Sequence, residues 1–298
     1  MEPIRSRTFK FFSFFPEDIV TLMYQIIIAN LIVIFRTSIN NYSCFLLSTT
    51  AIIISIFLIS TINHGTSNKF LRFIRHWYCV IIIPISYSIV GNIINGINPN
   101  IMDNLLINID FFMFKVHPTV FLEKIIFPAL TDYLQIIYSL YYFYPIVLGI
   151  AFYTKKKEME FHKTIFGVVL CFYLSYIGYI IAPAIGPRFT LANLHNVPIN
   201  TTPVTNFIQN LLNILEGKHY DCFPSGHTAV SLVVLYYAFK YEKKIFYIFL
   251  PLIISLIFST VYLRYHYVID IFAGLVLTFL TLFIAESIKL YRAVCRPS

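Results

Sequence analysis

An all-α fold, a polytopic transmembrane bundle of about eight helices, is predicted by three features of this sequence. Hydrophobic residues fill 58% of its 298 positions and charged residues only 12%, at a mean hydropathy of +0.75. Soluble domains carry roughly 25% charged residues, so water is not the only solvent this chain meets. Apolar runs close to the roughly 20 residues that cross a bilayer recur along its whole length. Lysine and arginine gather in every second loop, as they do when a chain crosses a membrane repeatedly.

The spans read in order at 18–36, 43–62, 77–97, 131–153, 164–185, 225–240, 245–263 and 267–289. Only Tyr241-Glu242-Lys243-Lys244 separates the sixth from the seventh. The stretch 98–130 carries Asp103, Asp110, Lys115, His117 and Pro118 between short apolar runs. It is too polar to span and reads as an interfacial or re-entrant element. The stretch 186–223 is a loop punctuated by Pro187, Pro198, Pro203 and Gly217.

Orientation follows from the basic residues. One set of loops holds 16 of the 22 lysines and arginines and the other set holds 6. By the positive-inside rule the 16-residue side is cytosolic, and both termini belong to it. The net charge of +8 is therefore mostly a topology signal, and nucleic acid is not an expected partner. Five cysteines, an odd number without a CxxC pair, give no disulfide framework. The N-terminal residues lack the cleavage signature of a removed signal peptide. Asn41-Tyr42-Ser43 and Asn200-Thr201-Thr202 are glycosylation sequons on the expected outer side.

Three segments carry chemistry: Pro183–Phe189, Cys222–Thr228 and Ser259–Asp270. The first follows span five, the second opens span six, and the third joins spans seven and eight. The alternation of spans brings all three out on the non-cytosolic face. His266 and Asp270 are four apart at a helix start, within side-chain reach. An Asp that accepts from one imidazole nitrogen leaves the other free as a nucleophile. Ser225 is a natural N-cap ahead of Gly226 and His227. A helix start of this kind favours an anion. Arg188 and Arg264 add planar, permanently charged donors for phosphate oxygens. Two histidines and an aspartate also suit a metal, but two neighbouring arginines repel a cation and attract an anion. Asp270 lies within a span, where an acid is costly and usually functional.

The second and third segments resemble the type 2 phosphatidic acid phosphatase superfamily. Pro224-Ser225-Gly226-His227 matches that family's second motif, and Ser259, His266 and Asp270 match the spacing of its third. The resemblance implies a six-helix catalytic core over 77–289. An N-terminal segment, 1–70, adds two further helices, and 290–298 forms a cytosolic tail. It implies that His266 attacks phosphorus, Asp270 orients it, and His227 protonates the leaving oxygen. The substrate is then a lipid phosphate, with water or an alcohol as acceptor, and neither cofactor nor metal is expected. The sequence leaves the family pattern in places. Ile181 stands where the first motif has Lys, Phe189 where it has Pro, and Thr260 where the third has Arg. Gly186-Pro187-Arg188 and Tyr262–Tyr267 look more like the branch related to inositol phosphorylceramide and sphingomyelin synthases. The rival class is a lipid transporter or scramblase, whose marks are charge near the midplane and paired broken helices. Here the charges sit at helix ends and no internal repeat is visible.

Overall fold

The computed structural model describes residues 13–62, 66–199, 202–216 and 220–288. Its helices follow from start signals that are legible locally. Helix α1 (Pro16–Ile34) opens on a proline with Glu17 and Asp18 in its first turn, which suits the positive end of the helix dipole. Helix α2 is Tyr42–Ser60. Helix α3 (Lys69–Trp77) is capped by the Asn68 side chain, which accepts from the Phe70 and Leu71 amides. It runs almost directly into α4 (Cys79–Ile97), so the third span begins at Lys69 instead of 77. Helices α5 (Asp103–Phe114) and α6 (Pro118–Phe121) lie in the stretch read as interfacial or re-entrant.

The fourth expected span, 131–153, is broken. Helix α7 (Pro128–Ser139) gives way to a short 3₁₀ turn and then α8 (Tyr144–Thr154), with a 49° bend between the two halves. Helix α9 (Glu158–Ile181) leads to the short α10 (Pro187–Thr190) and then α11 (Pro203–Glu216). Helices α12 (Gly226–Tyr241), α13 (Lys243–Tyr262) and α14 (Val268–Ser287) complete the bundle. Among the described residues there is no β-strand, only one isolated bridge between Ala184 and Asp221. The fold is an all-α polytopic bundle, and the chain is an integral membrane protein.

Among the described residues, six helical segments are long and apolar enough to cross a membrane, and up to eight if each bent pair counts as one span. These are not the same eight that the sequence suggests. The α5–α6 pair, bent by 61°, passes this test. Helix α12, at 16 residues, is about 24 Å long and falls short of it. Tertiary packing explains why α12 can be short. It lies against α8, α9, α13 and α14, and its first residues start inside the bundle. His227 at its beginning meets His266 just past the end of α13, their ring centroids 5.6 Å apart. The two antiparallel helices therefore cover the same depth.

Helix α9 is the central post. Of its most apolar window 72% is buried, against 22–39% for the other single-helix spans. The largest core cluster gathers around it, with Cys171, Val233, Val234, Ile253 and Leu256 fully or almost fully buried. At its N-terminal end the basic loops meet. Lys155 and Lys157 both reach Glu242, at 2.7 and 3.4 Å, and Lys240 pairs with Glu286 at 2.6 Å. Arg75, which looks like a free loop cation in the sequence, is 1% exposed and paired with Asp18 at 2.5 Å. Asn200, Thr201, Lys218 and the tail 290–298 lie outside the described residues.

Candidate active site

At the other end of α9 the three chemistry-bearing segments are joined pairwise by main-chain hydrogen bonds. The Cys222 amide donates to the Ala184 carbonyl at 3.1 Å, the Arg188 amide to Arg264 at 2.9 Å, and the Ser225 amide to Asp270 at 3.1 Å. Each bond ties a different pair of segments, so none moves alone. Gly186 makes the closure possible. Its φ is +92°, and a Cβ there would sit 2.8 Å from the Tyr265 carbonyl oxygen. Only glycine adopts that backbone without strain.

Two acids of α5 fasten the same loops. The Asp103 carboxylate accepts from the Ile185 and Gly186 amides, at 2.9 and 2.8 Å, and from the Tyr267 hydroxyl at 2.8 Å. Asp110 accepts from the Val268 and Ile269 amides, at 2.8 and 2.9 Å. These are the first turn of α14, where unpaired N–H groups and the helix dipole favour a negative charge. The stretch read as an interfacial or re-entrant element thus positions both the first segment and the third.

The histidines are prepared differently. His266 Nδ1 lies 2.7 Å from the Cys222 carbonyl oxygen and 3.3 Å from Asp270 Oδ2. Nδ1 must carry the proton, because both neighbours only accept, and Nε2 keeps its lone pair. Asp270 is therefore not the sole orienting group expected from the i,i+4 spacing. The backbone carbonyl is the nearer partner. Asp270 Oδ2 also accepts from the Cys222 thiol at 2.9 Å and the Tyr267 amide at 2.8 Å. Burial, with Asp270 alongside, pushes the Cys222 thiol well up, so it stays protonated and donates. His227 is held by stacking instead of polar contacts. Tyr138 and Tyr141 flank its ring at 4.4 and 4.1 Å between centroids. These tyrosines stand at the α7–α8 break, which aims them into the bundle. His227 Nε2 is buried without a hydrogen-bond partner.

His227 and His266 line one cavity of about 30 Å³ with Arg188, Arg264, Tyr138 and Cys222. Arg188 reaches it from α10, with its guanidinium 3.2 Å from Asn213 Oδ1 and 5.8 Å from the Tyr265 ring. Arg264 is 7% exposed and has φ +66°. It is not free, because its guanidinium donates to Glu123 at 2.8 Å and to the Val197 carbonyl at 2.6 Å. Burial draws the Arg264 pKa down, and Glu123 opposes that. Of the positions that depart from the family pattern, Phe189 lines the cavity and the other two lie elsewhere. Ile181 is 69% exposed at the end of α9, and the buried Thr260 hydroxyl turns back to the Ile257 carbonyl.

Ser225 and Gly226 do not line this cavity. The Ser225 hydroxyl, fully buried, accepts from the Thr228 amide at 3.2 Å, so it caps α12. Gly226 exists for packing, since a Cβ there would meet the Tyr179 hydroxyl at 2.4 Å. Asp103, Asp110, Glu123 and Cys222 are the contributors that sequence reasoning missed. For the acids there was one signal, carboxylates recurring in an otherwise apolar stretch. For Cys222 there was only its proximity to Ser225. Cys222, His266 and Asp270 bring three possible metal-ligand atoms within 4.8 Å of one another. Those atoms already face one another as donor–acceptor pairs, beside two arginines.

A second, apolar groove of about 340 Å³ meets the first cavity at His227 and Asp221. It lies between α4, α8 and α9, with Trp77 at its far end and Tyr87, Phe172 and Tyr176 along its wall. Its α9 wall runs from Ile165 to Tyr179, roughly 21 Å of helix.

Comparison with known proteins identifies the family. A PA-phosphatase related-family protein of Dictyostelium discoideum is 28% identical over 102 residues, 33% of this chain. The chain spans only 18% of that curated relative's length. No solved structure matches at a significant level. The model of the PAP2 superfamily matches residues 114–284, just over half of the chain and a range that holds all seven candidate site residues. The chain belongs to the PAP2 superfamily.

Proposed function

We propose that this protein cleaves or transfers a phosphoester group of a lipid through a phospho-histidine intermediate. One observation carries the reading: a small cavity with two histidines and two arginines shares His227 and Asp221 with a long apolar groove. The groove's length is about two-thirds of a ~30 Å hydrocarbon core. A headgroup phosphate at the histidines and an acyl or isoprenoid chain in the groove fit the two parts together.

In this mechanism His266 Nε2 attacks phosphorus, and the Cys222 carbonyl and Asp270 hold the Nδ1 proton. His227 donates a proton to the leaving oxygen. The two rings face each other across the cavity with centroids 5.6 Å apart, so both can contact a phosphoryl group bound there. Covalent capture divides one difficult step into two easier ones. Arg188 and Arg264 neutralise the equatorial oxygens, where phosphoryl transfer concentrates its demand for charge stabilisation. Ser225 and Gly226 act through the helix start they form. The second acceptor, water or an alcohol, decides between hydrolysis and transfer. Gly186-Pro187-Arg188 and the Tyr262–Tyr267 segment support the branch related to inositol phosphorylceramide synthases, which does not by itself fix the acceptor. The catalytic core is assigned to 77–289, with its active face on the non-cytosolic side and both termini cytosolic.

The test is a panel of lipid phosphates and phospholipids with and without an alcohol acceptor, reading free phosphate against new phospholipid. An acid-labile phosphoryl-enzyme that is absent from His266→Asn is expected. A purified, monodisperse protein that moves lipid between leaflets but turns over no phosphoester would favour the transport reading.

A further inference from the structure

A second cluster of histidines lies at the opposite end of α9, and nothing in the phosphoester chemistry uses it. His162 is 19 residues before Ile181 on α9, so the cluster is about 29 Å from the loop that carries Arg188. We propose that His76, Glu158 and His162 form a binding site for a divalent transition metal of the zinc class.

The first argument is donor geometry. Glu158 and His162 are four apart in the first turns of α9, and His76 ends α3 beside them. The three donor atoms lie within 4.8 Å of one another, and His76 Nε2 is 3.6 Å from Glu158 Oε1. Ligand bonds of 2.0–2.1 Å in a tetrahedron put ligand atoms about 3.4 Å apart, so a small closure of Glu158 completes the set. Glu158 can make it, because its side chain is 56% exposed. The same exposure gives the metal an entry path and a water for the fourth position.

The second argument is the state of the rings. His76 Nδ1 lies 2.7 Å from the Arg72 carbonyl, which only accepts, so Nδ1 carries the proton and Nε2 the lone pair. His162 Nδ1 lies 2.5 Å from Glu17 Oε1, an arrangement that likewise leaves Nε2 for a ligand bond. A carboxylate or carbonyl on the other ring nitrogen is the usual support of a metal-bound histidine. Here one ring has each kind.

The third argument is charge. Glu17 is 3% exposed, and its Oε2 has no hydrogen-bond partner. Its neighbour Asp18 is matched by Arg75, at 3.0 and 2.5 Å, and by the Tyr78 hydroxyl. Glu17 meets the His162 imidazole instead, through one oxygen, and a buried carboxylate oxygen left without a partner is expensive. A dication on His162 would balance it through the imidazole. Two imidazoles with one carboxylate select a metal of the zinc class over magnesium or calcium, which prefer oxygen. Bound there, the metal would pin α3 to α9 and, through Glu17, to α1.

The test uses the full chain in detergent, stripped with a chelator and titrated with Co²⁺. Stoichiometric binding with visible ligand-field absorption, displaced by Zn²⁺, is expected. Glu158→Gln and His76→Asn should weaken it by about 100-fold or more. Glu17→Gln should weaken it by about 10–100-fold with the spectrum retained, as for other groups that support a ligand. Cys222→Ser should leave it unchanged. Glu158 is half exposed, so its variant keeps the metal-free unfolding temperature of the wild type. No stoichiometric Co²⁺, binding indifferent to Glu158→Gln, or a thiolate-to-metal band lost in Cys222→Ser would each overturn the proposal.

Discussion

The two ends of the bundle both bury carboxylates beside histidines, and they satisfy them in opposite ways. At the end holding His266, the acids accept largely from main-chain amides. Asp103 holds Ile185 and Gly186, Asp110 holds Val268 and Ile269, Asp270 holds Tyr267, and Glu123 holds Asn196 and Val197. At the other end, Asp18 is met by Arg75 and Tyr78 and Glu17 by His162, mostly side chain to side chain across helices. The difference reflects what each end is made of. Loops expose amides that need acceptors, and an acid that binds them fixes a loop without consuming a side chain. Packed helices spare few amides, Asp18 taking that of Phe15 at its own helix start, so other side chains answer most of the buried charge. One end is thereby a frame that keeps imidazole nitrogens available, and the other is a clasp between α1, α3 and α9.

That contrast can be broken at either end. The largest effect is expected for His266→Ala, which removes the one imidazole whose Nε2 the loop frame keeps free. Turnover on a responsive lipid phosphate should fall about 10⁴-fold or more, with the variant still monodisperse. Activity within tenfold of wild type would remove His266 from the reaction. Next comes Arg264→Ala, with an expected loss of about 10²–10³-fold in kcat, as for one preorganised charge contact. Arg264→Lys should restore only part, since an ammonium lacks the planar fork. Normal turnover in Arg264→Ala would mean that the guanidinium serves only its contact with Glu123.

A smaller loss, on the order of 10²-fold, is expected for Asp103→Asn, because loops slightly out of place lose near-attack geometry. Asp103 touches no reacting group in this reading, so kcat should fall while the pH profile keeps its shape. A changed pH profile would make Asp103 part of the chemistry and dissolve the distinction between frame and catalyst. The least effect on turnover is expected for Arg75→Met. It leaves Asp18 buried and unpaired, which should cost about 3–5 kcal/mol of stability, read by denaturant unfolding in detergent. Turnover per folded molecule should not change. If it drops as far as in Asp103→Asn, the clasp is coupled to the site through α9.

Several things were legible in the sequence for local reasons. The apolar runs announce helices because a bilayer core demands about 20 apolar residues with every backbone group paired internally. His266 and Asp270 announce a pair because four residues is about one helical turn. Ser225 announces a cap because its hydroxyl reaches only amides a few residues on, as it does at Thr228. None of these needs a partner distant in the chain.

What only the tertiary structure decided depends on partners far apart in sequence. The break between α7 and α8 that sets Tyr138 and Tyr141 against His227 is one case. The 141-residue separation between Arg264 and Glu123 is another, and so is the burial of Arg75 by Asp18, 57 residues away. Arg264 reads as a free cation and Arg75 as a loop charge until those acids arrive. The sequence by itself determined the solvent, the helices and the imidazole–carboxylate pair, since each follows from composition or a spacing of a few residues. Which charges are free and which are held was decided by folding, because a buried charge must find its counter-charge wherever the packed helices bring one within a few ångströms.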